Sequence, residues 1–281
     1  MRDLSGKTAA VLGGGSGIGL GIALGLAAEG VNVVVADIEA DAASQVADRI
    51  REGGGSARDL RTDGTDPESL AEMVACAVRE FGGLHLLSNN VGVVLDRPLD
   101  GITRSDWEWI VEFNFFSIVR GVEAVLPRMR EQGEGGHIVN TASMAAVLAI
   151  PKSERMPAHI GAYTATKHAI LGYSEILRGE LAPEGIGVSV LCPGMVRSNL
   201  SATAARNRPG RHGGPLPAPP QPSGETQDRM MPPEQVGPIV VDGIRGNRLH
   251  IFTHPESVAL VEDRQRRMLD DFAFFAQRAR G

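Results

Sequence analysis

The chain has 281 residues, of which 42% are hydrophobic and 22% are charged, and this composition is typical of a globular protein with ample material for a core. A formal net charge of −6 argues against a nucleic-acid or an anionic-membrane partner. The N-terminus lacks the apolar core of a signal peptide and no apolar run is long enough to span a bilayer, so we expect a cytoplasmic protein without a membrane partner.

Apolar runs alternate along the chain with segments of helical composition. The predicted strands cover residues 8–12, 31–36, 57–62, 84–88, 137–140, 188–191 and 248–252. The predicted helices cover residues 17–29, 40–52, 67–81, 104–131, 160–181, 234–245 and 255–280. Strands that alternate with helices form a parallel sheet covered on both faces, and right-handed crossovers make it doubly wound. We therefore predict one α/β domain over residues 1–281, with about seven parallel strands.

A proline-rich segment interrupts this pattern. Residues 207–233 hold eight of the 17 prolines, which excludes a helix or a central strand there. The insertion, at about residues 201–233, is predicted to be a substrate loop that closes as a lid, or else a disordered or solvated loop. Arg206, Arg208 and Arg211 make its start basic. Residues 255–281 are predicted to form a helical C-terminal extension.

A cluster of glycines follows the first strand. Residues 13–19 read Gly-Gly-Gly-Ser-Gly-Ile-Gly and lie between a predicted strand and a predicted helix. Glycine lets a ligand approach the backbone closely, and the start of a helix offers free N–H groups to a pyrophosphate. This context indicates a dinucleotide site rather than a merely tight turn. The predicted contacts are Gly13, Gly15, Ser16, Gly17, Ile18 and Gly19.

Asp37 closes the second strand, 18 residues after Gly19. An acidic residue at about this distance binds the adenosine ribose hydroxyls and repels a 2′-phosphate. No lysine or arginine stands at residues 14–16 or 38–39 to neutralise such a phosphate. The pattern therefore favours NAD over NADP, with simple capping of the next helix as the alternative role of Asp37.

Tyr163 and Lys167 are four residues apart in a predicted helix and therefore lie on one face of it. A free phenol, with a pKa of about 10, is a poor base at neutral pH, but a nearby positive charge lowers its pKa. We predict that this pair moves a proton to or from an alcohol or a carbonyl. The alternative for the pair alone is a solvated helix face.

Six motifs in this order resemble those of the short-chain dehydrogenase/reductase family, and the resemblance runs from about residue 4 to residue 200. The motifs are the glycine turn (Gly13, Gly17, Gly19), Asn89-Asn90-Val91-Gly92, Asn114, Ser143, the Tyr163/Lys167 pair, and Pro193-Gly194-Met195-Val196-Arg197-Ser198. The resemblance implies a Rossmann fold and an NAD-dependent enzyme that interconverts a secondary alcohol and a ketone. It also implies a homodimer or homotetramer.

The resemblance implies roles for four side chains. Tyr163 would be the general base in oxidation and the general acid in reduction. Lys167 would lower the pKa of that phenol and bind the nicotinamide ribose. Ser143 would hydrogen-bond the substrate oxygen, and Asn114 would hold a water of a proton relay. Taken singly, Ser143 could merely end a strand and Asn114 could be a buried polar residue satisfied by backbone.

The same resemblance assigns the remaining cofactor contacts. Ile38 would accompany Asp37 at the ribose, Asp63 and Gly64 would lie beside the adenine, and Val91, Pro193 and Gly194 would line the cleft. Asn90 and Gly92 would lie beside the adenosine ribose, and Val196 and Ser198 beside the nicotinamide amide. We predict no metal site, because Cys76 and Cys192 are far apart and have no metal-ligand spacing.

The substrate is predicted from apolar residues near these motifs. The candidates are Val93, Val94, Met144, Ala145, Met195 and Leu200, which favour a bulky hydrophobic or aromatic alcohol or ketone. Lignin-type aryl-ether alcohol dehydrogenases are similar members of the family. The alternatives are an NADPH-dependent carbonyl reductase and a non-catalytic dinucleotide-binding regulatory protein. Residues 151–159, which are polar, are expected to protrude near the pocket mouth.

Overall fold

A computed structural model describes residues 1–152, 158–217 and 224–279. Three predicted features lie partly outside these residues: Glu154 and Arg155 of the polar segment, the prolines at 219, 220 and 222, and the last two residues of the C-terminal extension. Within the described part of the chain, no helix is long and apolar enough to cross a membrane.

The centre of the fold is a parallel sheet. Its strands are β1 (Thr8–Leu12), β2 (Asn32–Asp37), β3 (Ala57–Arg61), β4 (Leu86–Asn89), β5 (Gly136–Thr141), β6 (Ile186–Cys192) and β7 (His250–Phe252). Their order is β3-β2-β1-β4-β5-β6-β7, and every pairing is parallel. The predicted doubly wound sheet is confirmed. The order reverses between β1 and β4, which places a ligand crevice at the carboxyl ends of these strands.

Ten α-helices are present in the described residues. They are α1 (Gly17–Ala28), α2 (Ala40–Glu52), α3 (Pro67–Phe81), α4 (Arg104–Val111), α5 (Ser117–Gln132), α6 (Gly161–Leu181), α7 (Leu200–Arg206), α8 (Gly224–Arg229), α9 (Val236–Arg245) and α10 (Val258–Arg278). One cluster of buried side chains joins the sheet to α1, α2 and α9, and a second joins it to α3, α5 and α6. Burial on both faces explains why the inner strands β1 and β2 are almost continuous apolar runs, whereas the edge strand β3 is polar and largely exposed.

Two sequence-based predictions of helices were wrong. The single helix over residues 104–131 is interrupted by a π-helical turn at Glu112–Phe116, which joins α4 to α5 and contains Asn114. The proline-rich residues 207–233 were predicted to contain no helix, yet α8 forms there, as does a 3-10 turn at Gly210–His212. The reason is that the prolines are clustered, and none falls within Gly224–Arg229.

Helix α1 is fixed against α9 by close backbone packing. A Cβ atom on Gly21 would lie 1.8 Å from the carbonyl oxygen of Pro233, and one on Gly25 would lie 2.5 Å from the Cα of Gly237. No side chain fits at these distances, so glycine is required at the contact. Since α1 begins directly after the glycine cluster, this packing also fixes the position of that turn.

We expect Gly21→Ala to destabilise the protein by about 3 kcal/mol, because α1 and the 3-10 turn at Pro233–Gln235 that precedes α9 must separate to admit the methyl group. Gly172→Ala is the matched control, since Gly172 lies in α6 and a Cβ there meets no atom within 4 Å. The control should gain up to about 1 kcal/mol from helix propensity. Denaturant unfolding measures both changes, and equal stability of the two variants would contradict the packing described.

Candidate active site

The glycine turn packs directly against two other loops at the carboxyl edge of the sheet. Gly13 and Gly17 adopt positive φ angles of 74° and 51°. A Cβ on Gly13 would lie 3.1 Å from the backbone of Asn90, and one on Gly17 would lie 2.7 Å from the Cβ of Ser198. Three segments that the sequence assigned to one cofactor site therefore meet here. The close backbone cradle at the start of α1 fits a pyrophosphate.

Asp37 is oriented by backbone hydrogen bonds. The N–H of Gly15 donates to its Oδ2 at 2.8 Å, and the N–H of Glu39 donates to its Oδ1 at 3.0 Å. Burial raises the pKa of the Asp37 carboxyl, while these two hydrogen bonds act in the opposite direction. Each carboxylate oxygen keeps a second lone pair for a hydroxyl donor. The carboxylate is thus held against the glycine turn at the end of β2.

An arginine that the sequence analysis did not assign reaches the same place. Arg206, at the end of α7, forms an ion pair with Glu39, although 167 residues separate them in the chain. Asn207 donates a second hydrogen bond to the same carboxylate at 3.2 Å. The hydrogen bond from Arg206 is the main cause of the lowered pKa of Glu39. The absence of lysine and arginine at residues 14–16 and 38–39 holds, but it concerned only neighbours in sequence, and Arg206 reaches this strand end from a distant part of the chain.

Lys167 is buried beside Tyr163 and bonded to the end of β5. Its Nζ donates to the carbonyl oxygen of Thr141 at 2.9 Å and lies 5.3 Å from the centroid of the Tyr163 ring. Burial lowers the pKa of Lys167 to about 7. Burial also raises the pKa of Tyr163, while a hydrogen bond with Ser143 opposes the rise. The predicted lowering of the phenol pKa is wrong for this structure, because desolvation exceeds every other effect.

Asn114 joins the loop after β4 to α6. Its Oδ1 accepts the N–H of Val93 at 2.6 Å, and its Nδ2 donates to the Val93 carbonyl at 3.0 Å and to the Thr166 hydroxyl at 2.9 Å. A Cβ on Gly92 would lie 3.3 Å from Asn114 Oδ1 and 3.6 Å from Lys167 Nζ. The hydrogen-bonding groups of the Asn114 amide are therefore satisfied mainly by backbone, and the amide also lies close to the ammonium group of Lys167.

Ser143 follows β5 and caps a 3-10 turn at Met144–Ala146. Its Oγ accepts the N–H of Ala145 at 3.1 Å. The N–H of Met144 donates to the carbonyl of Pro193 at 2.9 Å, which ties this turn to the loop after β6. Because the hydroxyl also interacts with Tyr163, it both ends the strand segment and faces the phenol.

The other predicted cofactor residues line the same edge of the sheet. Gly64 packs on Val91, since a Cβ there would lie 3.0 Å from the Val91 Cγ2. Asp63 Oδ1 accepts the N–H and the hydroxyl of Thr65, both at 2.8 Å. The N–H of Gly194 is shared between Thr253 and His254 at 3.2 Å. These contacts hold the loops that follow β3, β4 and β6.

A buried ion pair was missed by the sequence analysis. Arg208 donates to Asp106 at 2.7 Å, and their side chains are 5% and 2% exposed. The Arg208 guanidinium also lies 4.7 Å from the centroid of the Trp109 ring. Trp109 packs in the apolar cluster that includes Val93 and Tyr163. The ion pair therefore anchors the segment after α7 to α4, beside the tyrosine.

Comparisons with known proteins agree with this geometry. The family model described as "short chain dehydrogenase" matches residues 7–209. The "C alpha-dehydrogenase" of Sphingobium sp. strain SYK-6 is 30% identical over 97% of this chain and 88% of its own. The "Cyclohexanol dehydrogenase" of Acinetobacter sp. strain SE19 is 34% identical over 70% of this chain and 75% of its own.

A solved structure supports the same assignment. A short chain dehydrogenase/reductase from Burkholderia phymatum in complex with NAD is 31% identical, covers 96% of this chain and 97% of its own, and superimposes with a TM-score of 0.83. The fold and the glycine-lined crevice define an oxidoreductase that uses a nicotinamide dinucleotide. The chain belongs to the short-chain dehydrogenase family.

We expect Arg208→Met to destabilise the protein by about 3 kcal/mol, because the buried Asp106 carboxylate then keeps only the more exposed Arg97 as a charged partner. Arg211→Met is the control, since Arg211 is exposed in the same segment. The pKa of Asp106 is lowered: burial raises it, but hydrogen bonds from Thr103 and Arg208 outweigh burial. A depressed carboxyl pKa stabilises the fold above the unfolded value of about 4. The difference between wild type and Arg208→Met in urea unfolding should therefore shrink below that pH, and a pH-independent difference would contradict the ion pair.

Proposed function

We propose that this protein catalyses the NAD-dependent interconversion of a secondary alcohol and a ketone. The observation that carries the proposal is the convergence of Ser143, Tyr163 and Lys167 at the carboxyl edge of the sheet, beside the glycine-lined crevice. Asn114 lies behind them, hydrogen-bonded to the loop after β4 and to α6. A non-catalytic dinucleotide-binding protein would not require a buried lysine beside a phenol. We also propose that the enzyme is a homodimer or homotetramer.

Each side chain has one proposed task. The Tyr163 hydroxyl takes the proton of the alcohol in oxidation and returns it in reduction. The Ser143 hydroxyl, which already faces the phenol, hydrogen-bonds the substrate oxygen and stabilises the charge that develops there. When bound, the nicotinamide ring accepts or supplies the hydride.

Lys167 has a different part in this scheme. Burial disfavours both the charged form of Lys167 and the phenolate of Tyr163. The positive charge that an oxidised nicotinamide would supply in this crevice would favour the ionised phenolate of Tyr163. We propose that the phenol becomes a competent base only in the complex with oxidised cofactor, with Lys167 holding the nicotinamide ribose. Asn114 is proposed to hold a water beside Lys167 that passes the proton on to solvent.

The substrate is proposed to be a cyclic or aromatic hydrophobic alcohol. The cluster around Tyr163 contains Val93, Leu95 and Trp109, all at most 6% exposed, with Leu216 of the proline-rich insertion packed on it. Met195 is 55% exposed at the rim. An apolar ring loses little by leaving water for such surroundings. An acidic or strongly hydrated substrate would lose its hydration there without gaining hydrogen bonds or an opposite charge in return. The names of two relatives, a cyclohexanol dehydrogenase and a C alpha-dehydrogenase, support the same substrate class.

Tyr163→Phe is expected to lower the turnover number at least about 10²-fold while NAD affinity stays within a few-fold, because only the proton donor is removed. Tyr173→Phe is a close control: it is the other tyrosine of the chain, it lies on the same helix, and it packs against Phe115 away from the crevice. Turnover is followed by the absorbance of reduced NAD across a panel of alcohols. Near-normal turnover by Tyr163→Phe would rule out the proposed mechanism.

NAD preference is proposed to depend on Glu39 as well as on Asp37. Glu39→Gln leaves Asp37 in place but releases Arg206, whose guanidinium can then pair with a 2′-phosphate. We expect the ratio of kcat/KM for NADP to that for NAD to rise about tenfold in Glu39→Gln, and the additional change Arg206→Gln to abolish the gain. A wild-type enzyme that prefers NADP would instead favour the alternative, a carbonyl reductase that uses NADPH.

A further inference from the structure

The chain that follows β7 lies against the loop that follows β6. The two strands are paired so that Cys192, the last residue of β6, is opposite Phe252, the last residue of β7. Because the strands are parallel, the residues beyond them leave the same edge of the sheet side by side. Gly194 and His254, each two residues past this paired end, are therefore brought together by the register of the sheet.

The imidazole of His254 is in close contact with the backbone of Gly194. A Cβ atom on Gly194 would lie 2.6 Å from both Cγ and Nδ1 of the ring, and 3.0 Å from its Cδ2. The φ angle of Gly194 is not positive, so its backbone conformation does not demand glycine. Glycine is needed at this position because the imidazole occupies the space that a side chain would fill.

The N–H of Gly194 is held by both residues of the Thr253-His254 pair. It donates to Thr253 Oγ1 and to His254 Nδ1, in each case at 3.2 Å. The two acceptor atoms are 2.7 Å apart. Since Nδ1 accepts the N–H, the threonine hydroxyl donates to Nδ1 and the ring carries its hydrogen on Nε2. Thr253 is 3% exposed, so the pair holds the N–H out of contact with bulk water.

The loop held in this way borders the crevice between the two turns that the reaction needs. At its start, the Pro193 carbonyl accepts the N–H of Met144, which belongs to the catalytic serine's turn. At its other end, Ser198 packs on the glycine turn, where a Cβ on Gly17 would lie 2.7 Å from the Ser198 Cβ. The loop therefore lines the part of the crevice between the proposed pyrophosphate site and Tyr163.

A separate contact holds the middle of the loop. The N–H of Met231 donates to the Met195 carbonyl at 2.9 Å, and the N–H of Arg197 donates to the Met231 carbonyl at 3.0 Å. These backbone hydrogen bonds do not depend on His254. Loss of the imidazole therefore leaves the loop attached to the fold and frees only its first residues.

We propose that His254 is a positioning residue for the nicotinamide half of the cofactor. It fixes Gly194, and with it the two residues proposed for the nicotinamide amide, Val196 and Ser198. This inference rests on the proposed function, because it requires a nicotinamide dinucleotide in the crevice. It adds to the site a side chain from the C-terminal part of the chain, where the sequence analysis assigned no site residue.

The first test compares the affinities of NAD and ADP-ribose, which differ by the nicotinamide group, by calorimetric titration of the full-length protein. His254→Leu removes the acceptor and should weaken NAD binding about tenfold, while ADP-ribose affinity stays within about twofold. His250→Leu is the matched control, since this exposed histidine of β7 lies 3.4 Å from Glu175, and it should change neither affinity. An unchanged ratio of the two affinities in His254→Leu, including an equal loss of both, would overturn the proposal.

The second test separates the hydrogen bond from the ring. His254→Asn keeps an acceptor at the place of Nδ1 and should retain NAD affinity within about threefold. His254→Phe keeps a ring without the acceptor and should behave like His254→Leu. Gly194→Ala should displace the imidazole, so its effect on NAD affinity should not add to that of His254→Ala. Additive effects, or a His254→Asn protein as weak as His254→Leu, would refute the positioning role.

Because binding is measured without turnover, this inference and the proposed reaction fail separately. If the ratio of affinities changes as expected but the wild type oxidises no alcohol, the reaction is refuted and the role of His254 stands. If the wild type oxidises alcohols but the ratio is unchanged in His254→Leu, the role of His254 alone is refuted. A wild type that binds neither NAD nor ADP-ribose refutes both.

Discussion

The burial of one lysine ammonium group is the constraint on which the active site depends. Lys167 is 3% exposed, and a charge in such surroundings is strongly disfavoured unless it is hydrogen-bonded. The carbonyl of Thr141 supplies one acceptor at the end of β5. The ammonium group therefore has an acceptor only because β5 ends at Thr141 and α6 places Lys167 beside that strand end.

The neighbours of the lysine are fixed for related reasons. Asn114 uses both ends of its amide to hold the Val93 backbone and reaches Thr166 on α6. It does so from a π-helical turn, a widened turn that is often found at functional sites. A regular helix over the same residues would turn the amide away by one position. The interruption between α4 and α5 thus serves the connection between the loop after β4 and the helix that carries Tyr163.

The sequence was sufficient to predict a parallel, doubly wound sheet of seven strands, and it supplied the residues proposed for the crevice. Strand and helix periods, the glycine cluster and Asp37 depend on local chain properties. Four of the six motifs stand at strand ends, where parallel topology gathers them, and the other two lie in the helical segments that carry Asn114 and Tyr163. Contacts between distant segments could not be predicted in this way. Arg206 meets Glu39, and Arg208 meets Asp106, only because the chain after β6 folds back across the crevice. Composition identified that segment as proline-rich and basic, which does not specify the partners of its arginines.

Desolvation explains why the predicted direction of the Tyr163 pKa was wrong. The pattern Tyr163 and Lys167 suggested a Coulomb effect alone, in which a cation lowers the pKa of a phenol. The structure adds burial, which acts on both groups and raises the pKa of Tyr163 while lowering that of Lys167. Sequence spacing can show that two groups are neighbours, but it contains no measure of how much water surrounds them.

The two arginines after β6 differ in burial, and this difference ranks the two ion pairs that hold the short segment at residues 206–208. The Arg206 side chain is 61% exposed, and exposed ion pairs contribute about 0–1 kcal/mol. The Arg208 side chain is 5% exposed, and breaking a buried pair costs about 3–5 kcal/mol. The segment is therefore held firmly at α4, beside Tyr163, and weakly at β2, beside the proposed ribose site.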